Sequence, residues 1–290
     1  MVLIDFSIDS NKWFPSWRYA MCRWLAYSGP AIHLDDVLLR PEHSLIAQSK
    51  KAWESTLEVN GDGFGIGWYT DRQGPGVYRD TFPAWNDWNL ASIAAHLSSP
   101  LFLGHVRAAV GSQVSRSNCH PFRSGKWLFQ HNGAIAEFNR IKHQLDMQIH
   151  PDLYAQKIGQ TDSETMFLLA LTFGLEKDAA RGIGQMIEVV EKAREEAAIE
   201  DSFHMTIATT DGETLHCARH ASFGSQPSLY HSKPDLELQA SSGDPIRLQK
   251  GAILVVSEPL DELAEDWQIV PESSRLVIKA GDARIHSLST

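Results

Sequence analysis

The chain has 290 residues, of which 43% are hydrophobic and 21% charged, and its formal net charge is −10. This composition is typical of a globular protein with one large or two small domains; the negative charge gives no reason to expect nucleic-acid binding, and no apolar run approaches the ~20 residues of a membrane-spanning helix. The three cysteines are too few and too scattered for a disulfide framework or a zinc site, which favours a reducing cytoplasm.

Residues 1–21 precede the first candidate site residue. Charged residues such as Asp5 and Asp9 interrupt every apolar stretch there, so the segment lacks the apolar core of a secretory signal peptide. It is a propeptide, a true extension, or the product of a start codon upstream of a genuine start at Met21, and we favour the last. Over 22–290 no linker rich in Pro, Gly or Ser divides the chain, so we expect one domain there.

Cys22 directly follows Met21 and opens a short apolar run to Tyr27, which predicts a buried strand. If Met21 is removed, Cys22 carries a thiol and a free α-amine on one residue. The amine titrates near ~8, so it can take the thiol proton at neutral pH, and one residue then supplies both nucleophile and base. The alternative is a small buried cysteine that only packs within the strand.

A glycine-rich segment at 60–69 follows a stretch of loop and short helix at 34–59. Its glycines alternate with large apolar residues, which predicts a strand with one face open to close approach by another backbone or a ligand. The segment lacks the Gly-Lys-Ser/Thr ending of a phosphate-binding loop. Gly-Pro-Gly at 74–76 predicts a hairpin turn before a strand at 77–80, and residues 88–98 predict a short helix.

Arg107 lies in a mostly apolar run, 101–109, that begins as a predicted strand. A charge in such a run is costly unless it is paired. One interpretation is an internal salt bridge. The other is a fork for a substrate carboxylate, a shape that guanidinium fits with two parallel hydrogen bonds.

Cys119 and His120 are neighbours in a predicted loop at 111–124, and the pair suggests a catalytic cysteine and histidine. Adjacent residues in an extended chain point to opposite sides, so they rarely contact each other. We therefore expect structural roles for both.

Residues 127–133 predict a strand that runs into a polar turn containing Asn132 and Gly133. The Asn-Gly dipeptide is typical of a hairpin turn. It could also direct the Asn132 amide and the Gly133 N–H at one point, as two donors for an oxyanion. Residues 134–148 predict a helix.

Asp162 precedes an apolar helix predicted over Met166–Leu175. Asp162 or Ser163 suits the N-cap, and Thr161 with Glu164 has capping-box spacing, so capping alone is one interpretation of Asp162. The remaining pattern predicts a helix at 179–199 and a strand-rich end, with strands at 203–210, 214–219, 252–257, 268–270 and 275–279 and a last short run to His286.

Six motifs, taken in order, resemble the class II glutamine amidotransferase domain of the N-terminal-nucleophile superfamily, in its stand-alone YafJ-like branch. They are Met-Cys-Arg-Trp-Leu-Ala-Tyr-Ser-Gly-Pro at 21–30, Asp-Gly-Phe-Gly-Ile-Gly-Trp at 62–68, Gly-His-Val-Arg at 104–107, Asn-Cys-His-Pro-Phe at 118–122, His-Asn-Gly at 131–133 and Thr-Asp-Ser-Glu at 161–164. Each motif alone is weak, but six in order at plausible spacing are specific. The resemblance implies an α+β fold, a four-layer α/β/β/α sandwich of two antiparallel sheets.

The resemblance also implies a role for each site residue. Cys22 attacks the δ-carbonyl of a γ-glutamyl amide and forms a thioester, while Asn132 and Gly133 hold the oxyanion. Arg107 grips the substrate α-carboxylate and Asp162 pairs with its α-ammonium. Leaving either charge of such a zwitterion unpaired in a closed site costs ~1–3 kcal/mol or more. No metal ion or other cofactor is implied.

Two functions are compatible with these observations. The first is hydrolysis of the γ-glutamyl amide bond of glutamine or of a γ-glutamyl conjugate by a cytoplasmic enzyme, with a small-molecule substrate and neither nucleic acid nor membrane as partner. The second is a catalytically silent binding or regulatory module whose pocket is blocked by residues 1–21.

Ammonia bears on the choice of substrate. The 290 residues leave no room for a fused synthase domain, so ammonia from glutamine would be released or passed to a separate acceptor protein. Because free hydrolysis of glutamine would waste that ammonia, we favour a γ-glutamyl conjugate as the natural substrate.

Overall fold

A computed structural model describes residues 22–50, 59–109, 112–224 and 227–288. The expected extension at 1–21 lies outside the described residues, as do parts of the loops predicted at 34–59 and 111–124. The division of the chain into an extension and one domain therefore stays a prediction.

The strands and helices expected from the sequence pattern occur in that order, together with short elements that it does not predict, at 122–124, 151–154, 230–232, 237–239 and 245–247. The strands are β1 (Arg23–His33), β2 (Phe64–Trp68), β3 (Gly76–Asp80), β4 (Ser98–Val106), β5 (Phe122–Ser124), β6 (Trp127–Ala134), β7 (His204–Thr210), β8 (Thr214–Ala221), β9 (Tyr230–Ser232), β10 (Glu237–Gln239), β11 (Pro245–Arg247), β12 (Ile253–Val256), β13 (Trp267–Ile269), β14 (Ser274–Lys279) and β15 (Asp282–Ser287). The helices are α1 (Asp35–Leu38), α2 (Leu45–Lys50), α3 (Trp88–His96), α4 (Phe138–Asp146), α5 (Pro151–Tyr154), α6 (Asp162–Thr172) and α7 (Ala179–Glu196).

Two antiparallel sheets pack face to face at the centre of the molecule. One has seven strands in the order β13-β9-β12-β1-β4-β2-β3, and the other has six in the order β15-β14-β8-β7-β6-β5. Helices α1 to α3 cover the outer face of the first sheet, and α4 to α7 cover the outer face of the second. The predicted four-layer α/β/β/α sandwich is confirmed.

Alternation of side chains along the strands creates three separate apolar cores. In β1, Trp24 and Ala26 pack between the sheets, whereas Leu25 and Tyr27 pack beneath α1 to α3. Successive side chains of a strand point to opposite faces, so an apolar run such as that of β1 fits a strand buried on both sides. This double burial explains why the apolar run after Cys22 is continuous rather than alternating.

Polar contacts cross the space between the sheets close to the candidate site. The Gln130 side chain donates to the Leu25 carbonyl oxygen over 3.0 Å, and His105 Nε2 lies 3.1 Å from the His131 carbonyl oxygen. These contacts join β1 and β4 of one sheet to β6 of the other. The start of β1 and the ends of β4 and β6 consequently meet at the same edge of the sandwich.

The glycine-rich strand β2 is in close contact with a loop. A Cβ added to Gly65 would overlap the His120 carbonyl oxygen, and one added to Gly67 would lie 2.7 Å from Pro121 Cγ. The expectation that the glycine face admits another backbone is confirmed, and that backbone belongs to the loop before β5.

Three local predictions differ from the structure. Asn132 and Gly133 lie inside β6 and pair with Thr206 and Met205 of β7, so the hairpin-turn interpretation is wrong; cross-strand pairing outweighs the local turn preference. The helix predicted from residue 134 begins at Phe138, because β6 runs to Ala134. The loop predicted over 111–124 ends in the short strand β5.

The start of α6 also corrects the sequence interpretation. Thr161, not Asp162 or Ser163, is the N-cap, and its hydroxyl accepts the Glu164 N–H over 3.2 Å. The Glu164 carboxylate accepts instead from the N–H groups of Ile158 and Gly159, at 3.0 and 2.7 Å. Because Thr161 satisfies the helix start, the Asp162 carboxylate is available for other contacts.

Candidate active site

Cys22 lies immediately before β1, the strand between β12 and β4. Arg23 pairs with Val106, so the antiparallel register sets Cys22 opposite Arg107. The Cys22 sulfur lies 3.4 Å from the Ala108 amide nitrogen, and the side chain is half-buried. The thiol is therefore fixed at the sheet edge, beside the backbone that follows β4.

Charges from three elements act on the Cys22 thiol. Burial raises its pKa; the Ala108 amide and the charges of Arg107 and Arg23 oppose that rise, whereas Asp162 adds to it. A buried thiol with a raised pKa holds its proton at neutral pH, so it needs a base to become a nucleophile.

Arg107 is a buried cation held mainly by neutral oxygens. Its guanidinium donates to the Asp62 carbonyl oxygen over 3.3 Å, to the Ser112 hydroxyl over 2.6 Å and to the Gln113 carbonyl oxygen over 3.4 Å. Within the described ranges no carboxylate forms a salt bridge with it, so the internal salt bridge is not found. The guanidinium charge is positioned but not neutralised by the described part of the chain.

Asn132 and Gly133 lie near the end of β6, next to β7. The Asn132 side chain is buried, and its Oδ1 has no hydrogen-bond partner among the described residues. Gly133 has a φ of +142°, and a Cβ there would overlap the His204 carbonyl oxygen and lie 2.8 Å from His131 Nε2. Only glycine fits this position, for both conformational and steric reasons.

Asp162 is tied to the end of β6 by hydrogen bonds. Its Oδ2 accepts the Ile135 N–H over 2.9 Å, and its Oδ1 accepts the Ser163 N–H over 2.7 Å. The Ser163 hydroxyl donates to Oδ1 over 3.2 Å and lies 2.9 Å from His131 Nδ1. The carboxylate at the start of α6 and the strand bearing Asn132 are thus held as one unit.

The structure places Cys22 opposite Arg107 and ties Asp162 to the end of β6, the strand that carries Asn132 and Gly133. Arg107 and Asp162 both act electrostatically on Cys22, and Asp162 also acts on His131, the residue that precedes Asn132 and Gly133. The capping-only interpretation of Asp162 is wrong, because Thr161 is the cap.

A cluster of buried histidines beside the site was missed by sequence reasoning. The rings of His105 and His120 stack with centroids 4.1 Å apart, and burial lowers the pKa of His105 to about 3 and that of His131 to about 4. These rings are neutral packing and hydrogen-bonding groups at neutral pH. The available signal was their position, because each lies within one of the six motifs.

Asn118 and the pair Arg23 and Glu258 were also missed. The Asn118 side chain donates to the Gln113 carbonyl oxygen over 2.8 Å and accepts the Gln160 N–H over 2.9 Å. It therefore links the loop that holds the Arg107 guanidinium to the loop before Asp162. Arg23 directly follows Cys22 in the sequence. A charged residue next to the candidate nucleophile was the signal that could have drawn attention to Arg23 and its partner Glu258.

Cys119 and His120 do not contact each other through their side chains. The Cys119 thiol donates to the Asp80 and Ser115 carbonyl oxygens over 3.3 and 3.4 Å, while the His120 ring stacks on His105. The expectation that the two side chains do not pair is confirmed, and structural roles for both stay a prediction.

Within the ranges that the structure describes, no group of three or more His, Cys, Asp and Glu side chains is arranged to hold a metal ion. In the same ranges, no helix has the length and apolar character needed to cross a membrane.

Comparisons with known proteins agree with the geometry. The family model described as glutamine amidotransferases class-II matches residues 44–290. The chain is 33% identical to a protein named probable glutamine amidotransferase from Saccharomyces cerevisiae, covering 92% of this chain and 84% of that one. It is 30% identical to the gamma-glutamyl-hercynylcysteine sulfoxide hydrolase of Mycolicibacterium smegmatis, covering 91% and 98%.

A solved structure has the same fold over the whole of its length. It is a glutamine aminotransferase class-II domain protein from Silicibacter pomeroyi, 33% identical, with a TM-score of 0.69; the match covers 93% of this chain and 100% of that one. The family resemblance inferred from the six motifs is confirmed.

Proposed function

Since the chain belongs to the class II glutamine amidotransferases, we propose that it hydrolyses the γ-glutamyl amide bond of glutamine or of a γ-glutamyl conjugate through a thioester on Cys22. The observation that carries the proposal is the position of the Cys22 thiol, which faces the charges of Arg107 and Asp162 at one edge of the sandwich. A fixed cation and a fixed anion beside one thiol match an amino acid zwitterion with an electrophilic side chain.

The reaction has two stages. The Cys22 sulfur attacks the δ-carbonyl carbon while the thiol proton passes to a base, and the base returns that proton to the departing nitrogen as the C–N bond breaks. Water then attacks the thioester, the C–S bond breaks, and glutamate leaves as the thiol is restored. Each stage has a lower barrier than direct hydrolysis of the amide.

The α-amine of Cys22 is the base in this scheme. Burial raises the thiol pKa, so the thiol needs an adjacent proton acceptor. An α-amine titrates near ~8, and the neighbouring cations Arg107 and Arg23 disfavour its protonated form. This assignment requires that Cys22 is the first residue of the active protein.

Asn132 and Gly133 are assigned to the oxyanion, Arg107 to the α-carboxylate and Asp162 to the α-ammonium. The buried Asn132 amide and the sterically restricted Gly133 support the first assignment, because preorganised donors stabilise charge that develops in the transition state. The absence of a salt bridge to Arg107 in the described ranges supports the second, since its charge is then available to a ligand.

The first test combines the mature start with the nucleophile. We expect an intact mass that begins at Cys22 for protein made from its own gene, release of glutamate by that protein, and complete loss of release in Cys22→Ala. Diazo-oxo-norleucine should label Cys22 alone. Cys217→Ala is the matched control, because that buried thiol lies between the sheets. Full turnover in Cys22→Ala would exclude the nucleophile, and a mass that includes residues 1–20 without turnover would favour a silent module.

The second test concerns the leaving group. The relative from Mycolicibacterium smegmatis is named a hydrolase of a γ-glutamyl conjugate and matches nearly its full length, which supports a conjugate as substrate here. We expect a γ-glutamyl peptide or amine to exceed glutamine in kcat/KM. If glutamine leads by tenfold, which is ~1.4 kcal/mol of transition-state preference, a separate ammonia acceptor should be sought instead.

A further inference from the structure

Arg23 is a fully buried charge that the proposed chemistry does not yet use. Its side chain is 1% exposed, and that of its ion-pair partner Glu258 is 3% exposed. Buried ion pairs are often no more stabilising than apolar residues of the same size, so stability is a weak reason for this pair. Its position next to Cys22 calls for a different explanation.

The Arg23 guanidinium contacts the nucleophile residue and Glu258 together. Its Nε donates to Glu258 Oε1 over 2.5 Å, its Nη2 forms an ion pair with the same oxygen, and its Nη1 donates to the Cys22 carbonyl oxygen over 3.0 Å. One planar group thus connects the backbone of Cys22 to a carboxylate 235 residues further along the chain from Arg23.

The segment that carries Glu258 is itself well anchored. Ser257 exchanges two hydrogen bonds with Trp24, from the Trp24 N–H to its hydroxyl over 3.1 Å and from its own N–H to the Trp24 carbonyl oxygen over 3.0 Å. The buried Gln48 side chain donates to the Glu258 carbonyl oxygen over 3.3 Å and to the His43 carbonyl oxygen over 2.9 Å. Glu258 is therefore a fixed point to which Arg23 can hold Cys22.

A nucleophile at a chain start needs such a fixed point. Cys22 precedes β1 and lies outside its ladder of paired residues, and a first residue has only one covalent neighbour. Reacting groups must be held within about 0.5 Å of their productive position. The carbonyl of Cys22 is the backbone group through which this restraint can act.

We propose that Arg23, held by Glu258, positions the Cys22 nucleophile and sets the charge that its thiol faces. The proposal rests on the thioester function of Cys22. Arg23 touches neither substrate nor reacting atoms in this scheme, so it is a positioning residue. The other charges that act on the thiol are Arg107 and Asp162, and these stay unchanged in the variants below.

The test measures the pH dependence of Cys22 alkylation by iodoacetamide on the full chain, with the label located by peptide mass spectrometry. Arg23→Gln removes a cation that acts on the thiol, so it should raise the thiol pKa by about one pH unit. Glu258→Gln removes the anion and keeps the cation, so it should lower the thiol pKa by about as much. The double variant removes both charges and should bring the alkylation profile back close to that of the unchanged protein.

Turnover measurements distinguish a positioning role of Arg23 from a purely electrostatic one. In the double variant and in Arg23→Lys, which keeps the charge but lacks the planar fork, we expect kcat/KM for a γ-glutamyl substrate at least tenfold lower with a near-normal alkylation profile. Arg194→Gln is the matched control: Arg194 is also buried and paired with Glu191, but it is absent from the charges that act on Cys22. It should lower thermal stability and leave the alkylation profile unchanged.

Two outcomes distinguish the two proposals. If Arg23→Gln and Glu258→Gln alkylate with the unchanged pH profile and only lose stability, as Arg194→Gln does, Arg23 is structural and the inference is overturned. If the alkylation profiles shift as expected but the unchanged protein hydrolyses no γ-glutamyl compound, the role of Arg23 toward the thiol stands and the proposed function fails.

Discussion

Arg107 shows how a single side chain can be prepared for a ligand. Three oxygen atoms of the protein hold its guanidinium, and none of the three carries a full negative charge. Under the proposed function, the net positive charge of the group is what binds the substrate carboxylate. The same bonds fix the plane of the guanidinium, so its geometry matters as well as its charge.

We predict that Arg107→Lys lowers kcat/KM by at least tenfold, about 1.4 kcal/mol, although the charge is kept. Lysine offers a point charge in place of a planar fork and cannot contact the Asp62 and Gln113 carbonyl oxygens together. Steady-state kinetics would measure the loss. Arg123→Lys, at an exposed arginine in β5, is the control and should change nothing. Unchanged kcat/KM in Arg107→Lys would exclude a substrate-binding role.

At the scale of the element, tertiary contacts determine the conformation of β6 near Asn132 and Gly133. The Asn-Gly dipeptide favours a turn locally, yet β7 pairs with it on one side and the histidine and serine contacts fix it at its end. The conformation of Gly133 follows from these tertiary contacts. This is why Asn132 and Gly133 could be identified from the sequence as candidate site residues, whereas their local structure could not be predicted from it.

We predict opposite stability effects for two glycine-to-alanine substitutions. Gly133→Ala introduces a methyl group that overlaps the His204 carbonyl oxygen, at a positive φ, and should destabilise the fold by about 1–3 kcal/mol or more and reduce turnover. Gly184→Ala lies in α7 with open space around it and should stabilise by about 0.5–1 kcal/mol. Urea denaturation measures both. Equal effects would contradict the close approach of β7 to Gly133.

The histidine cluster sets a property of the whole molecule, its stability in acid. Burial lowers the pKa of His105 to about 3 and of His131 to about 4, whereas unfolded histidine titrates near ~6.5. Well above that value both states are neutral and the histidines contribute no pH dependence. Below it the unfolded chain takes up protons first, so folding stability falls as the pH decreases toward 4.

We therefore predict lower stability at about pH 5.5 than at about pH 7, by at most about 1.4 kcal/mol per histidine and pH unit. Urea denaturation at the two pH values measures the difference. His216, whose pKa burial also lowers to about 4, offers a variant outside the cluster: His216→Gln should reduce the slope without removing it. Equal stability at both pH values would show that these rings are not buried neutral.

The elements predicted from the sequence agree with the structure where a pattern of neighbouring residues is enough to determine them. The apolar run of β1, the alternating glycines of β2 and the capping spacing at Thr161 all carry their physical cause within a few residues, so their elements could be predicted. Arg23 and Glu258 could not be paired in this way, because 235 residues separate them and no local signal joins them. Asn118 was missed for the same reason: its role comes from two loops that only the fold brings together.

The position of β1 in its sheet has a consequence for biosynthesis. A ribosome completes β1 and β4 early, but the other neighbour, β12, and the anchor Glu258 come much later. At ~5–20 residues per second the interval is on the order of tens of seconds. During that time β1, the strand that follows Cys22, has one side unpaired. Cys22 is thus made long before Glu258 and reaches its final surroundings late, so under the proposed function we expect partially synthesised chains to be inactive.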